Sequence, residues 1–178
     1  MLIKAIRCEV PQHWREPFDK AQRAWHPLRE LNGFMYQCGG WVEEDPERAY
    51  LFGLWRDTKA HQDFMRSAHD RIYQGTGQQG TYAGIHIDFG ETEEEVSRQL
   101  PEKQRIVLLR RGPAAERRSN PRILWEAWGD TLILTWPASG KEELRPDAGD
   151  EQAAIRLNPP WTVRGSGHGE RFGGKHRV

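Results

Sequence analysis

The sequence predicts an α+β protein: a ferredoxin-like βαββαβ sandwich forming a dimeric α/β barrel, with a small β-rich C-terminal extension. Three observations carry this. Through residue 90 the spacing of apolar side chains switches between periods of two and 3.6, in the order strand, helix, strand, strand, helix, strand. The third strand, YLFGLW, has bulky apolar residues on both faces and must be covered twice. Near residue 91 the composition changes, and short strand-like runs follow.

Leu2, Ile6, Cys8 and Val10 share one face of the first strand, which Pro11 ends. Trp14, Phe18, Ala21, Trp25 and Leu28 then recur every three or four residues, the stripe of one amphipathic helix that buries its aromatic side chains and kinks or stops near Pro27. Asn32-Gly33 marks a turn into a second strand, FMYQCGGWV, where paired glycines predict a bulge or a close backbone approach. The third strand places Tyr50, Phe52 and Leu54 on one face and Leu51 and Trp55 on the other. Asp57 or Thr58 caps the second helix, with Ala60, Phe64, Ala68 and Ile72 on one face and His61, Met65 and His69 on the adjoining stripe. In the fourth strand Ala83, Ile85, Ile87 and Phe89 alternate with Tyr82, His86 and Asp88.

The division that results is a ferredoxin-like domain over 1–90, an acidic linker or short helix over 91–104 with a Thr92/Glu95 capping box, a β-rich extension over 105–164 and a disordered tail over 165–178. Within the extension 105–110, 122–128 and 131–136 read as strands, the last two as a hairpin through Gly129-Asp130, and 153–164 adds a fourth. The glycine-rich tail has too few apolar residues to offset the entropy of ordering, which makes His168 and His176 tail residues. No internal repeat is convincing. Helices on one side of a four-stranded sheet leave the other side bare, to be covered by a second subunit or by the chain's own C-terminal strands.

Composition excludes several classes. No apolar run approaches the roughly 18 residues of a membrane-spanning helix, and the start lacks the pattern of a signal peptide, so a cytoplasmic protein is expected. Twenty-six basic residues balance 26 acidic ones, which disfavours nucleic acid; the Arg110-Arg111 and Arg117-Arg118 cluster near Trp125, Trp128 and Trp136 is the one local argument for it. Cys8 and Cys38 form no CxxC pair, and strand three is expected between their strands, so both read as small buried hydrophobes.

Residues 1 to about 90 resemble the YdbC-like domains of unknown function, relatives of the antibiotic-biosynthesis-monooxygenase type of dimeric α/β barrel. The resemblance rests on AQRAW (21–25), GFMYQCGGW (33–41), LWRD (54–57), FMRSAHDRI (64–72) and QQGTYAGI (78–85), which fall in order on the corresponding elements. It implies a fold, a homodimer and, from the monooxygenase relatives, a pocket between helices and sheet. Gln22, Trp25, Gln37, Trp55, His69 and Tyr82 are the polar and aromatic residues that the resemblance places at that pocket. His69 is the candidate ligand or general base, against the alternative of a packing histidine with one hydrogen bond. Related haem-degrading barrels have an axial histidine at that position, a tryptophan ten residues earlier and an asparagine on the first strand. Lys59 stands at the former place here and the first strand has no Asn, so haem is disfavoured and no cofactor is expected.

No metal site is expected either: on one helix His61 and His69 would stand about 12 Å apart, too far to share an ion bound at about 2 Å from each. Helical neighbours such as His69 and Asp70 project about 100° apart and need not act together. The Gln22 and Gln37 amides, set among tryptophans, must find partners or orient a ligand. Tyr82, on the non-core face of strand four, is expected at a subunit interface rather than at a substrate. Two functions stay open: a cofactor-independent monooxygenase-like enzyme acting on a small aromatic or enolisable substrate, and a non-catalytic small-ligand-binding or dimeric assembly module.

Overall fold

The computed structural model describes residues 1–91, 106–111, 122–127, 130–135 and 152–166. The N-terminal half runs β1 (Leu2–Glu9), α1 (Arg15–Arg23), β2 (Phe34–Val42), β3 (Arg48–Trp55), α2 (Thr58–Ser67), α3 (His69–Thr76) and β4 (Gly84–Glu91). β5 (Ile106–Arg111), β6 (Arg122–Ala127), β7 (Asp130–Thr135), β8 (Gln152–Leu157) and β9 (Val163–Arg164) follow. Among the described residues the strand pairings are all antiparallel, and β3 lies between β1 and β2 as the ferredoxin-like order requires. Cys8 and Cys38 are accordingly two strands apart, each buried and free, and burial pushes each thiol up to about 12.

Both helical expectations need correction. The first stripe is not one helix: a 3-10 turn at Gln12–Trp14, α1, and a second 3-10 turn at His26–Glu30 share it. Pro27 sits in the first turn of that second piece, where its missing N–H costs no bond. Phe18 and Ala21 are buried, whereas Trp14, expected in the core, is 40% exposed. The second helix breaks at Ala68 (φ −133°, ψ −22°), and next to the break the Ser67 hydroxyl donates to the Asp63 carbonyl oxygen at 2.6 Å, competing with the helix backbone. His69 therefore opens α3 instead of closing α2, and the His61/Met65/His69 stripe is divided between two helices. Asp57 caps α2 by accepting from the Ala60 N–H at 2.7 Å, and Gly77 ends α3 at φ 68°.

The two faces of β3 are covered differently. Leu51 and Trp55 lie under the helices, Leu51 beside Phe18 and Trp161, Trp55 beside Phe64. Phe52 and Leu54 face a second core with Ile3, Ala5, Met35, Tyr36 and Cys38, to which Leu134, Ile155 and Leu157 of the extension contribute. The covering for which a partner subunit was one candidate thus comes from this chain.

It does so because the extension prolongs the sheet. β8 pairs with β2 through Gly40–Leu157, Trp41–Arg156 and Val42–Ile155, giving the order β4-β1-β3-β2-β8-β5-β7-β6. Each half has its four strands in the sequence fourth, first, third, second: a structural repeat where none is evident in the residues. The terminal strands β4 and β6 lie against one another, so the sheet curls round the second core. The expected hairpin is present, with Ala127 opposite Asp130; its turn residues 128 and 129, the 92–105 segment and the Arg117-Arg118 loop lie outside the described residues.

Of the two readings of the paired glycines, close approach is the one observed. A Cβ at Gly40 would stand 2.0 Å from the Arg156 carbonyl oxygen, and one at Gly39 would stand 2.5 Å from that of Tyr50. The irregularity in pairing falls elsewhere, between Phe34 and Tyr36. The chain's return is fastened at a 3-10 turn, Pro159–Trp161: Trp161 is wholly buried against Phe18 and Trp41, and its indole N–H donates to Asp19 Oδ1 at 2.8 Å. Gly165 and Ser166, assigned to the tail, instead bond to Met35 and Arg29; the rest of the tail lies outside the described residues.

Gly40→Ala should lower stability by about 2–3 kcal/mol in urea unfolding, because the obstructing atom is backbone and cannot swing away. Gly75→Ala, in α3 with nothing within 4 Å of the new Cβ, should raise it by about 0.5–1 kcal/mol. Equal losses at both positions would show that the β2–β8 seam is not tight.

Candidate functional site

The helix-covered face of the sheet is built by a simple parity. Residues directly opposite in antiparallel strands point to the same side. Leu2, Lys4, Ile6 and Cys8 of β1 therefore share a side with Leu51, Gly53 and Trp55 of β3, with Gln37 of β2 and with Ile85, Ile87 and Phe89 of β4. Apolar residues fill most of it. Between this floor and the helices lies a cavity of about 260 Å³.

All six residues singled out from the sequence line that cavity: Gln22 from α1, Trp25 just after it, Gln37 from β2, Trp55 from β3, His69 at the start of α3 and Tyr82 ahead of β4. Tyr82 corrects an expectation. It precedes the strand, which begins at Gly84, and its hydroxyl lies 3.0 Å from that of Tyr73 in the cavity wall instead of at an outer face. Burial above all, and then the Tyr73 bond, push its phenol up to about 12, so it acts as a neutral hydrogen-bonding group.

His69 is held on two sides. Its Nδ1 is 2.8 Å from Asp70 Oδ1, so the pair meets although helical projection alone does not require it; at the first turn of a helix the two side chains are not yet fixed by a preceding turn. Its ring stacks on Tyr73 (centroids 5.8 Å apart, planes 7° apart) and meets the Phe64 ring edge-on. The other ring nitrogen, Nε2, has no hydrogen-bond partner among the described residues. Trp25 is oriented by its own bond, Nε1–H to Gln78 Oε1 at 2.8 Å.

The two amides answer the question posed of them in one direction. Gln22 is 1% exposed, and neither its Nε2 nor that of Gln37 has an acceptor among the described residues. Buried amide donors left unpaired cost free energy unless a ligand or water supplies the acceptor.

Sequence reasoning missed Lys4, Gln78 and Tyr73, all of which line the cavity. For Lys4 a signal existed: it interrupts the otherwise apolar face Leu2, Ile6, Cys8. Burial pushes its ammonium down to about 8, and its partner among the described residues is the Phe89 ring, 5.8 Å from centroid to nitrogen, with no carboxylate paired to it. Among the described residues no group of three or more His, Cys, Asp or Glu side chains is arranged to hold a metal ion, and no helix is long and apolar enough to cross a membrane.

With the geometry in place, the likeness to known proteins becomes informative. Residues 2–89 match the family described as "Domain of unknown function (DUF4937)". Over 95 residues the chain is 35% identical to the uncharacterized protein YdbC of Bacillus subtilis, an alignment spanning 52% of this chain and 80% of that one. The chain belongs to the YdbC family. Two solved structures share the fold over nearly the whole chain. A "putative monooxygenase" from Lactobacillus acidophilus has 10% identity and a TM-score of 0.63, covering 92% of this chain and 95% of that one. A second "putative monooxygenase", from Fusobacterium nucleatum, has 9% identity and the same TM-score, covering 88% and 91%. At such identities the likeness is one of fold, and it extends past the family domain into the C-terminal strands.

His61 is buried beside the cavity, edge-on to Trp55, Phe64 and Phe89, with Nε2 unpaired among the described residues. Burial first, then the Lys4 charge, push its pKa down from 6.5 to about 4. The folded protein thus binds fewer protons than the unfolded chain between those values. Stability present above pH 6.5 should fall as pH drops from 6.5 toward 4. In urea titrations His61→Leu should remove most of the slope in that window; an unchanged slope would place its origin elsewhere.

Proposed function

We propose that the cavity binds a small aromatic or enolisable molecule and that the protein is a monooxygenase-like enzyme acting on it without a bound cofactor. The observation that carries this reading is convergence. His69, Gln22, Gln37, Trp25, Trp55 and Tyr82, from five separate segments, meet at one apolar cavity with unpaired polar groups, the usual form of a small-molecule site. The names of the two solved structures that share the fold agree with it.

In this reading Asp70 fixes the His69 tautomer and orientation, leaving Nε2 to take a proton from the substrate. The resulting enolate or phenolate donates electrons to dioxygen. A ring CH₂ becomes C=O, with one oxygen atom retained and the other leaving as water, so the chemistry needs no external reductant. Trp25 and Trp55 supply flat apolar walls that limit competing solvent protonation of the carbanion.

A non-catalytic ligand-binding module is the second reading, favoured by the mutual satisfaction of Trp25 with Gln78 and of Tyr73 with Tyr82. Thermal-shift screening of flat phenols and ketones, followed by oxygen-electrode assays on stabilising compounds, separates the two. For the enzyme, His69→Ala should reduce oxygen consumption at least about a hundredfold while the compound still binds. Binding without any oxygen uptake by the wild type would leave the binding module.

The homodimer implied by the family resemblance has less to do here, since Leu134, Ile155 and Leu157 of the C-terminal strands pack into the core on the second sheet face. We expect the purified chain at micromolar concentration to scatter light as a 20.7 kDa monomer. A dimer mass would require an interface other than the one that completes the barrel.

A further inference from the structure

The cavity floor contains a row of residues that specifies more than an apolar pocket. Lys4 of β1 is directly opposite Gly53 of β3, and Gly53 is directly opposite Gln37 of β2. Lys4 and Gln37 therefore flank a glycine on the same side of the sheet, two strand spacings or about 9.6 Å apart. The absent side chain leaves a gap between them. A Cβ at Gly53 would meet nothing closer than Trp55 Nε1 at 3.7 Å and the Lys4 carbonyl oxygen at 3.9 Å, so the indole N–H borders the same gap.

Three residues with hydrogen-bond donors, Lys4, Gln37 and Trp55, thus line the one cavity into which Gly53 opens, the Trp55 indole N–H beside the gap itself. None has an acceptor among the described residues, and Gln37 Nε2 is buried without one. A protein that gathers donors around a gap without providing acceptors has left the acceptor to come from outside. The group that fits is an oxygen carrying negative charge, because one donor is an ammonium with no carboxylate to neutralise it, in surroundings where an unpaired charge is costly.

We propose that the space over Gly53 is an oxyanion site, in which Lys4, Gln37 and Trp55 hold the carboxylate, phenolate or enolate oxygen of an aromatic ligand whose rings lie against Trp25 and Trp55. This rests on the reading of the cavity as a small-molecule site and adds the chemical class of the molecule. The site would bind an acidic aromatic as its anion, and in the enzymatic reading it would stabilise the enolate as His69 forms it.

The probes are 2-naphthoate and its neutral near-isostere 2-naphthamide, titrated calorimetrically at pH 7, where a lysine with a pKa near 8 is still charged. Wild type should bind naphthoate about ten- to a hundredfold more tightly than naphthamide, as expected for a hydrogen-bonded charge. Lys4→Met should bring the two affinities to within about twofold, while Lys4→Arg keeps most of the preference. Gly53→Ala fills the gap with a methyl group at ordinary contact distance, so it should fold normally and weaken naphthoate more than naphthamide. Equal affinities in the wild type, or a preference that survives Lys4→Met, would overturn the oxyanion site while leaving the cavity a ligand site. If neither compound binds the wild type, both the site and the cavity reading fall.

Discussion

A strand with large apolar side chains on both faces cannot lie at a protein surface, and in this chain that strand is β3. Leu51 and Trp55 need one apolar cover; Phe52 and Leu54 need another. The helices supply the first. The second could not come from the same helices, and its solution determines the rest of the molecule: the sheet continues past β2 into the C-terminal strands and curls until Leu134, Ile155 and Leu157 close over the exposed side. That continuation depends on β2 admitting β8 at van der Waals range, which explains glycine at position 40, where any Cβ would collide with backbone. The Asp19–Trp161 bond then fixes the end of the path to α1, so the outer layer and the inner core are tied by one segment.

The cavity follows from the same arrangement. The helical layer is interrupted at Ala24–Trp25 and at Ala68, and the pieces on either side of these breaks, with Trp25 and His69 at their ends, do not fill the floor as a continuous helix would. A break that brings His69 to a helix start also places Asp70 within reach of its ring. The floor beneath is apolar except for Lys4 and Gln37, and Gly53 keeps these two apart. A residue of ordinary size at position 53 would have left a packed core there.

The N-terminal fold was legible because its signals are local. Apolar alternation gave β1 to β4 with ends displaced by up to about two residues, and Asp57 marked the start of α2. The breaks were less legible, since apolar spacing continues through Ala68 and the competing bond from Ser67 leaves no mark in the pattern. The six residues proposed for the site were named by resemblance, and that they line one cavity is observed, but Lys4 was passed over because a single lysine on a strand is normally at the surface. Its neighbours across the sheet are 49 and 85 residues away along the chain: Gly53 and Phe89. The barrel's completion was least legible. It depends on strand order, and two halves can share an order, β4-β1-β3-β2 and β8-β5-β7-β6, without sharing residues.

That repeated order within a single chain has a consequence for how the molecule can change. In a barrel made from two identical subunits every substitution occurs twice, once on each side, and a residue that improves one pocket is imposed on the other. Here each position exists once. The helix-covered half can alter its cavity while the other half keeps the inner core closed, so that selection for a ligand and selection for a stable barrel fall on different residues.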